Sequence, residues 1–185
     1  MILKIVPSSD PVLRQISKRV PKIDKKITEF IRDMKDTLRV QKEPEGVALA
    51  APQVGKSLRI FVTNYKDFQK VVINPEIIKV ENTVNKPKST KKVKKQKKET
   101  EILEGCLSIP YYYGPLRRAS RVTVKYMNEQ GESVTETFED FYAQIVMHEI
   151  DHLEGILFVD HLLKEKKPLY KVDGDEWEEV ELIYK

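Results

Sequence analysis

Two of the chain's three histidines lie four positions apart in the motif HEIDH, residues 148–152. In a helix, His148 and His152 would fall on one face, one turn apart, where they could bind one metal ion together. Glu149 would lie beside such an ion and could transfer protons as a general base. Catalytic sites of this kind usually take three protein ligands and keep one position open. The motif therefore predicts a metal site whose third ligand comes from elsewhere in the chain.

The third ligand is not a histidine downstream of the motif. Metzincin proteases require a glycine and then a histidine there; Gly155 fits, but position 158 holds Phe158. Three tail glutamates are candidates by distance alone: Glu176, Glu178 and Glu179. We favour Cys106 in the segment EGCLS, although a single cysteine is more often a small buried apolar residue. One thiolate and two imidazoles suit one divalent ion, Fe(II) or Zn(II), with water on the open side.

The helix that carries the histidines is expected to be central and buried. Residues 141–154, FYAQIVMHEIDHLE, are apolar on nearly every face, which is typical of a helix enclosed by the rest of the fold. Asp140 is the expected N-cap and Gly155 the expected stop. Because unpaired polar groups are costly inside a protein, two histidines in such a helix favour a metal site over a structural role.

The remaining elements follow from hydrophobic spacing. Residues 25–41 carry apolar side chains at helical intervals and predict an amphipathic surface helix. The start of the chain, MILKIVPSSDP, is expected to form a short strand. Further strands are expected in LRIFVTNY and KVVINPEIIKVE, and a hairpin is expected to turn at NEQGE. The strands adjoin one another instead of alternating with helices, so the predicted class is α+β, with antiparallel sheets packed around the central helix.

The basic charge of the chain is confined to one segment. KPKSTKKVKKQKK, residues 86–98, contains eight lysines and no acid. Subtracting these lysines from the net charge of +4 leaves −4 for the rest of the chain. We expect a disordered loop at about residues 83–99 within a single domain spanning residues 1–185. Contact with RNA through this loop is the alternative to an inert insertion.

Composition excludes several classes. No apolar run approaches the ~20 residues of a membrane span. The first residues lack the charged start and the long apolar stretch of a secretory signal. The single cysteine excludes an internal disulfide framework and fits a reducing compartment.

Three segments resemble the signature motifs of the peptide deformylase family: GVALAAPQ at 46–53, EGCLS at 104–108 and HEIDH at 148–152. DPVLR and INPEI resemble further elements of the family, so the resemblance runs from about Ile2 to about Leu163, interrupted by the lysine-rich segment. It implies an enzyme that removes the formyl group from the initiator methionine of nascent chains and releases formate. Cys106, His148 and His152 would then hold the metal ion.

The resemblance also implies roles for residues around the metal. Glu149 would take a proton from the attacking water and return it to the leaving amine. The amide of Gln53 and the backbone N–H of Leu107 would bind the oxyanion. Glu104 would orient a ligand imidazole. Asp151 would pair with Arg118 and hold helix and strand together.

An apolar pocket beside the metal should receive the methionine side chain. The expected substrate contacts are Val47, Ala48, Ile102, Gly105, Phe141 and Ile145. Gly105 suggests a close approach of the backbone to another group. The family usually has glycine in place of Ala48, whose methyl group should restrict φ and crowd the substrate.

The expected partners are formylmethionyl nascent peptides, with the ribosome as a further candidate. No membrane and no sequence-specific nucleic acid is expected. A lysine-rich insertion is atypical of bacterial members, so we expect an organellar enzyme in a eukaryote, plastid or apicoplast before mitochondrion, and a cytoplasmic one otherwise. Two alternatives stay open: an inactive, metal-stabilised protein that binds ribosomes or RNA, and a general metalloprotease.

Overall fold

Nine strands and three α-helices form the regular structure of residues 1–82 and 103–181, the part described by a computed structural model of the chain. The strands are β1 (Ala48–Ala50), β2 (Ile60–Thr63), β3 (Val71–Glu81), β4 (Leu103–Cys106), β5 (Ile109–Pro115), β6 (Arg121–Met127), β7 (Ser133–Glu139), β8 (Leu169–Asp173) and β9 (Glu176–Val180). The helices are α1 (Lys25–Arg39), α2 (Asp140–Leu153) and α3 (Phe158–Glu165), with 3-10 helices at Pro11–Arg14 and Ala51–Val54. The lysine-rich segment lies outside the described residues.

The first sheet has the order β1-β2-β3-β6-β7, and all its neighbours are antiparallel. Side chains of β2 alternate between two cores: Ile60 and Val62 pack on the α1 side, and Phe61 packs on the α2 side. Because helices cover both faces, β2 is buried along its whole length and its sequence is a continuous apolar run. The predicted α+β class with antiparallel sheets is confirmed.

Helix α1 is the amphipathic helix that its spacing predicts. The Asp24 carboxylate caps its start by accepting a hydrogen bond from the Ile27 N–H at 3.0 Å. Ile31, Met34 and Leu38 are buried against the first sheet. None of the described helices combines the length and apolar character needed to cross a membrane.

Helix α2 is buried as expected, but its predicted N-cap is wrong. The residue before the helix is Glu139, in extended conformation, and Asp140 is already the first helical residue, with φ +50°. The chain passes from β7 directly into α2, so one left-handed residue makes the whole turn, which Asp tolerates better than most residues. Gly155 ends the helix as predicted: its φ is +75°, and a Cβ there would lie 2.7 Å from the Arg14 carbonyl oxygen.

The predicted strand at the start of the chain is also wrong. The first seven residues form no ladder; instead the Leu3 N–H donates to Thr37 Oγ1 at 2.8 Å and the Val6 N–H donates to the Gln53 carbonyl at 2.9 Å. The Ser8 N–H then donates to the Ser108 carbonyl at 3.0 Å. The N–H groups of Leu3, Val6 and Ser8 therefore bond to a side chain, a 3-10 helix and a turn. In this way the first residues of the chain hold the segments around Gln53 and Ser108 side by side.

The second sheet has the order β4-β5-β8-β9 and is antiparallel throughout. Helix α3 covers one of its faces, where Phe158 and Leu162 pack with Leu116, Leu169 and Cys106. Cys106 is the last residue of β4, so this packing fixes the strand end that carries the thiol.

Candidate metal centre and active site

Cys106, His148 and His152 form a buried cluster in which one donor atom from each residue lies within 4.8 Å of the other two. The Cys106 Sγ lies 3.2 Å from His152 Nε2. Two donors about 2.3 and 2.0 Å from one tetrahedral ion are about 3.5 Å apart, so the cluster fits a single small ion. The tail glutamates that were the other candidates lie on the exposed strand β9 and are not part of the cluster.

Glu104 holds one of the two imidazoles in place. Its Oε1 lies 2.7 Å from His148 Nδ1, which leaves Nε2 of the ring for the metal cluster. Arg118 donates to both oxygens of the same carboxylate, at 3.0 and 2.6 Å. Burial alone would raise the pKa of Glu104, but the charges and hydrogen bonds of His148 and Arg118 outweigh burial and hold the pKa well below its usual range. Glu104 is therefore an anion that orients the His148 ring.

Arg118 links this carboxylate to a second one. Its Nη1 donates to Asp151 Oδ2 at 2.6 Å, so the ion pair expected from the sequence is present. His161 Nε2 lies 2.8 Å from the same Asp151 oxygen. Burial opposes ionisation, yet the contacts with His161 and Arg118 lower the pKa of Asp151. Sequence reasoning missed His161, because no motif or spacing ties this third histidine to the others.

Glu149 is buried beside the cluster and lines the same cavity. Its Oε2 has no hydrogen-bond partner among the described residues. Burial raises the pKa of Glu149 to about 7. A carboxyl group with one free oxygen and a pKa near neutrality can both accept and return a proton.

The two imidazoles of the cluster differ in charge preference. Burial disfavours the cation in both, but Glu104 and Cys106 raise the pKa of His148 well above its ordinary value. Burial and then the neighbouring charge of His148 lower the pKa of His152 well below that value. A ligating imidazole is neutral, so His148 would hold a divalent ion in its deprotonated form.

Two further donors flank Cys106. The Gln53 Oε1 accepts the Ala50 N–H at 2.8 Å, which turns the Nε2 of the amide toward the Cys106 Sγ, 3.4 Å away. On the other side, the Leu107 N–H lies in the β4–β5 turn and has no acceptor within residues 1–82 and 103–181. Both Gln53 and Leu107 line the cavity. The site therefore offers N–H donors close to where the metal ligands meet.

The cavity beside the cluster has a volume of about 250 Å³. Five of the predicted substrate contacts line it: Val47, Ala48, Gly105, Phe141 and Ile145. The sixth, Ile102, lies outside the described residues. Sequence reasoning missed Leu103, Ile109, Tyr111, Tyr112, Tyr113 and Gln144. Three consecutive tyrosines, separated from the cysteine motif by two residues, were the available signal for half of these residues.

Two small residues, Ala48 and Gly105, line the cavity, and their backbones have different surroundings. Ala48 lies in β1, where it pairs with Thr63 of β2, and its φ is not positive. The expectation that its methyl group restricts φ harmfully here is therefore wrong, because an extended backbone accepts any residue. At Gly105, a Cβ would lie 2.6 Å from Cε1 of Tyr113. The close approach inferred for Gly105 is thus the passage of the Tyr113 ring across the β4 backbone.

These features are typical of a metal-dependent hydrolase, and comparisons with known proteins identify the family. A model of the polypeptide deformylase family matches residues 2–168. A peptide deformylase from Clostridium acetobutylicum is 45% identical over 155 residues, 83% of this chain and 90% of that protein.

Solved structures give the same result. The peptide deformylase from Thermotoga maritima is similar with a TM-score of 0.72 and 38% identity, covering 86% of this chain and 97% of that one. An inhibitor-bound peptide deformylase from Arabidopsis thaliana has a TM-score of 0.70 and 29% identity, covering 85% and 80%. The chain belongs to the polypeptide deformylase family. It is an enzyme that hydrolyses formylmethionyl peptides, acting at the N-terminus of new polypeptides.

Proposed function

We propose that the chain binds one divalent ion through Cys106, His148 and His152, and that Glu149 transfers the proton when a formylmethionyl peptide is hydrolysed. The observation that carries this proposal is the buried Oε2 of Glu149, which has no hydrogen-bond partner among the described residues, in the cavity that Cys106 and His148 also line. A carboxylate without a partner inside a protein is costly, and such groups are found where function requires them.

A bound ion supplies a water acidic enough to lose its proton near pH 7 and a positive charge beside the formyl group. Glu149 accepts that proton and later donates it to the amine that leaves, so one carboxyl group serves both proton transfers. Its burial keeps its pKa near the operating pH, which suits a group that must take up and release a proton.

Gln53 and Leu107 stabilise the charge that develops on the formyl oxygen. The amide of Gln53 is fixed by its bond to the Ala50 N–H, so its N–H groups are oriented before the substrate arrives. The Leu107 N–H gives up no existing bond to a described residue when it binds the oxygen. Oriented donors of this kind lower the barrier because they need no rearrangement.

The methionine side chain is held by the apolar part of the cavity, at Val47, Phe141 and Ile145. Phe141 is also held edge-on against Tyr65, with 5.0 Å between ring centroids, which fixes the pocket wall. Ala48 and Gly105 lie along the path of the peptide backbone. For Ile102 the expected contact stays a prediction from the sequence.

The identity of the ion is proposed as Fe(II) or Zn(II), because a thiolate with two imidazoles suits both. We also propose that the lysine-rich segment draws the enzyme to ribosomal RNA, and that in a eukaryotic source the enzyme works in a plastid or apicoplast. The eight lysines at residues 86–98 support both proposals. Imaging the tagged chain in its source cell tests the compartment.

One experiment tests the core of the proposal. The chain, purified without oxygen, should contain one equivalent of Fe or Zn and release formate from formyl-Met-Ala. Removing the metal with a chelator should abolish release, and adding either metal back should restore it. Internal cleavage of an unformylated peptide would identify a general protease, and salt-sensitive RNA binding without formate release would identify an inactive binding protein.

A further inference from the structure

The hairpin β8–β9 lies beyond the part of the chain that the family model matches, which ends at residue 168. It extends the second sheet by two strands, with Tyr170 of β8 opposite Tyr113 of β5. Residues directly opposite in an antiparallel pair project from the same face, so Tyr113 and Tyr170 lie side by side. A segment beyond the residues that the family model matches is thus attached to a strand that lines the active-site cavity.

Three aromatic rings form a shelf on this face: Tyr113, Tyr170 and Trp177. The Trp177 ring centroid lies 5.7 Å from that of Tyr113 and 6.4 Å from that of Tyr170. Trp177 remains 53% exposed, so about half of the residue's surface is not used to pack the hairpin. Tyr113 lines the cavity and crosses Gly105, so the shelf begins at the cavity and continues outward onto the hairpin.

The hairpin around the shelf is strongly acidic. Residues 169–181 contain one lysine and six acids: Asp173, Asp175, Glu176, Glu178, Glu179 and Glu181. No cation within residues 1–82 and 103–181 forms an ion pair with any of these carboxylates. Glu179 lies directly opposite Tyr170, on the face of the shelf. The shelf therefore combines an exposed indole with carboxylates that no cation of residues 1–82 and 103–181 pairs with.

We propose that this shelf binds a basic side chain just downstream of the formylmethionine, at the second or third residue of the substrate. The inference rests on the proposed function, because the methionine in the cavity places the following residues at its rim. An extended chain advances about 3.3 Å per residue, so these residues reach the Tyr113 end of the shelf. A lysine or arginine there meets the indole face by a cation–π contact, together with the charge of Glu179.

The wild type is tested with formyl-Met peptides that carry lysine, norleucine or glutamate at the second position and then at the third. Norleucine has the lysine stem without its charge. At one of these positions we expect kcat/KM for lysine to exceed that for norleucine by about two- to fivefold, the range of an exposed cation–π contact. The preference over glutamate should be larger and should shrink in high salt. No preference for lysine at either position, or a preference for norleucine, would overturn the proposal.

Variants then assign the preference to the shelf. Trp177→Ala should reduce the lysine-to-norleucine ratio to about one, and Trp177→Phe should keep part of it. Glu179→Gln should lower the lysine-to-norleucine ratio. The matched control is Glu29→Gln, at an exposed position of α1, which should leave the ratio unchanged. An unchanged ratio in Trp177→Ala would overturn the assignment. If that variant melts early, the ratios of Trp177→Phe and Glu179→Gln decide. Formate release from formyl-Met-Ala by the wild type reports the proposed function separately, since that substrate carries no basic side chain.

Discussion

The Glu104 carboxylate lies 2.7 Å from Nδ1 of His148 and receives two hydrogen bonds from Arg118 on its other side. An imidazole oriented by a fixed anion presents its second nitrogen in one direction only. The position of His148 in the metal cluster is therefore set by contacts within the protein.

Cys106→Ala and His148→Ala should each lose the metal, because two remaining donors hold an ion too weakly for purification. Metal content per chain, measured after gel filtration, checks this. His161→Ala is the matched control, since His161 lies outside the cluster, and it should keep one equivalent. Stoichiometric metal in Cys106→Ala would show that the ligand set is wrong.

Glu149→Gln should retain the metal but lower kcat by roughly 10²–10⁴-fold, because the amide cannot carry the proton. The measurement is formate release at saturating substrate. Glu154→Gln changes a carboxylate one turn further along, which forms an ion pair with Arg59, and should leave kcat close to the wild-type value. Near-normal turnover by Glu149→Gln would remove Glu149 from the mechanism.

Arg118→Ala should lower the free energy of unfolding by about 3–5 kcal/mol, the cost of leaving buried charges without their partner. Both Glu104 and Asp151 lose their guanidinium in this variant. Denaturant unfolding of the metal-loaded proteins measures the difference. Arg39→Ala removes an exposed helical pair with Asp36 and should cost only about 0.3–0.5 kcal/mol. Equal effects of the two changes would contradict a buried network.

The difference in the free energy of unfolding between the wild type and Arg118→Ala should become smaller in acid. In the wild type the pKa values of Glu104 and Asp151 are lowered by folding, so their stabilising contribution is present at neutral pH and is lost as the pH falls below their ordinary values of 4.5 and 3.8. In the variant the lowering of these pKa values by Arg118 is lost, so protonation of the two carboxylates removes less stability than in the wild type. Unfolding free energies at pH 7 and pH 3 check the sign, and a difference that widens in acid would contradict it.

The lysine-rich segment should be dispensable for the chemistry. Its composition predicts an exposed loop, and lengthening such a loop costs only about 0.6 kcal/mol per doubling, so removing the segment should change stability little. Replacing residues 86–98 with a short glycine-containing turn should keep metal content and turnover of small formyl peptides. Turnover of ribosome-bound nascent chains at low salt should fall, because fewer lysines contact RNA phosphates. A large loss on a small peptide, with metal still bound, would show that the segment reaches the active site.

The sequence predicted the parts of the site that depend on local pattern. A buried helix has a recognisable apolar periodicity, and His148 and His152 are four positions apart on it, so their shared face followed directly. Cys106 could be favoured because the chain has no other cysteine. The α+β fold class and the antiparallel sheets could be predicted because the strand segments adjoin one another in the sequence.

What the sequence did not reveal depends on contacts between distant segments. His161 joins Asp151 only because α3 returns to α2, and no local spacing records that. The first residues are apolar enough for a strand, but they donate to Thr37 and Gln53 instead. Asp140 has the composition of a cap, yet the geometry of the β7–α2 junction makes it the first helical residue.

The donors of the metal cluster come from two separately packed parts of the molecule: Cys106 from β4 of the second sheet, the histidines from the helix that packs on the first. Cys106 and His152 are 46 positions apart in the chain. An ion bound to both is a cross-link that closes this segment into a ring. By the chain-entropy argument for disulfides, a ring of this size lowers the conformational entropy of the unfolded chain. This raises the free energy of unfolding by about 4 kcal/mol. Oxidation of the single thiol would then open the ring, and the protein would lose this stabilisation at the moment it lost its chemistry.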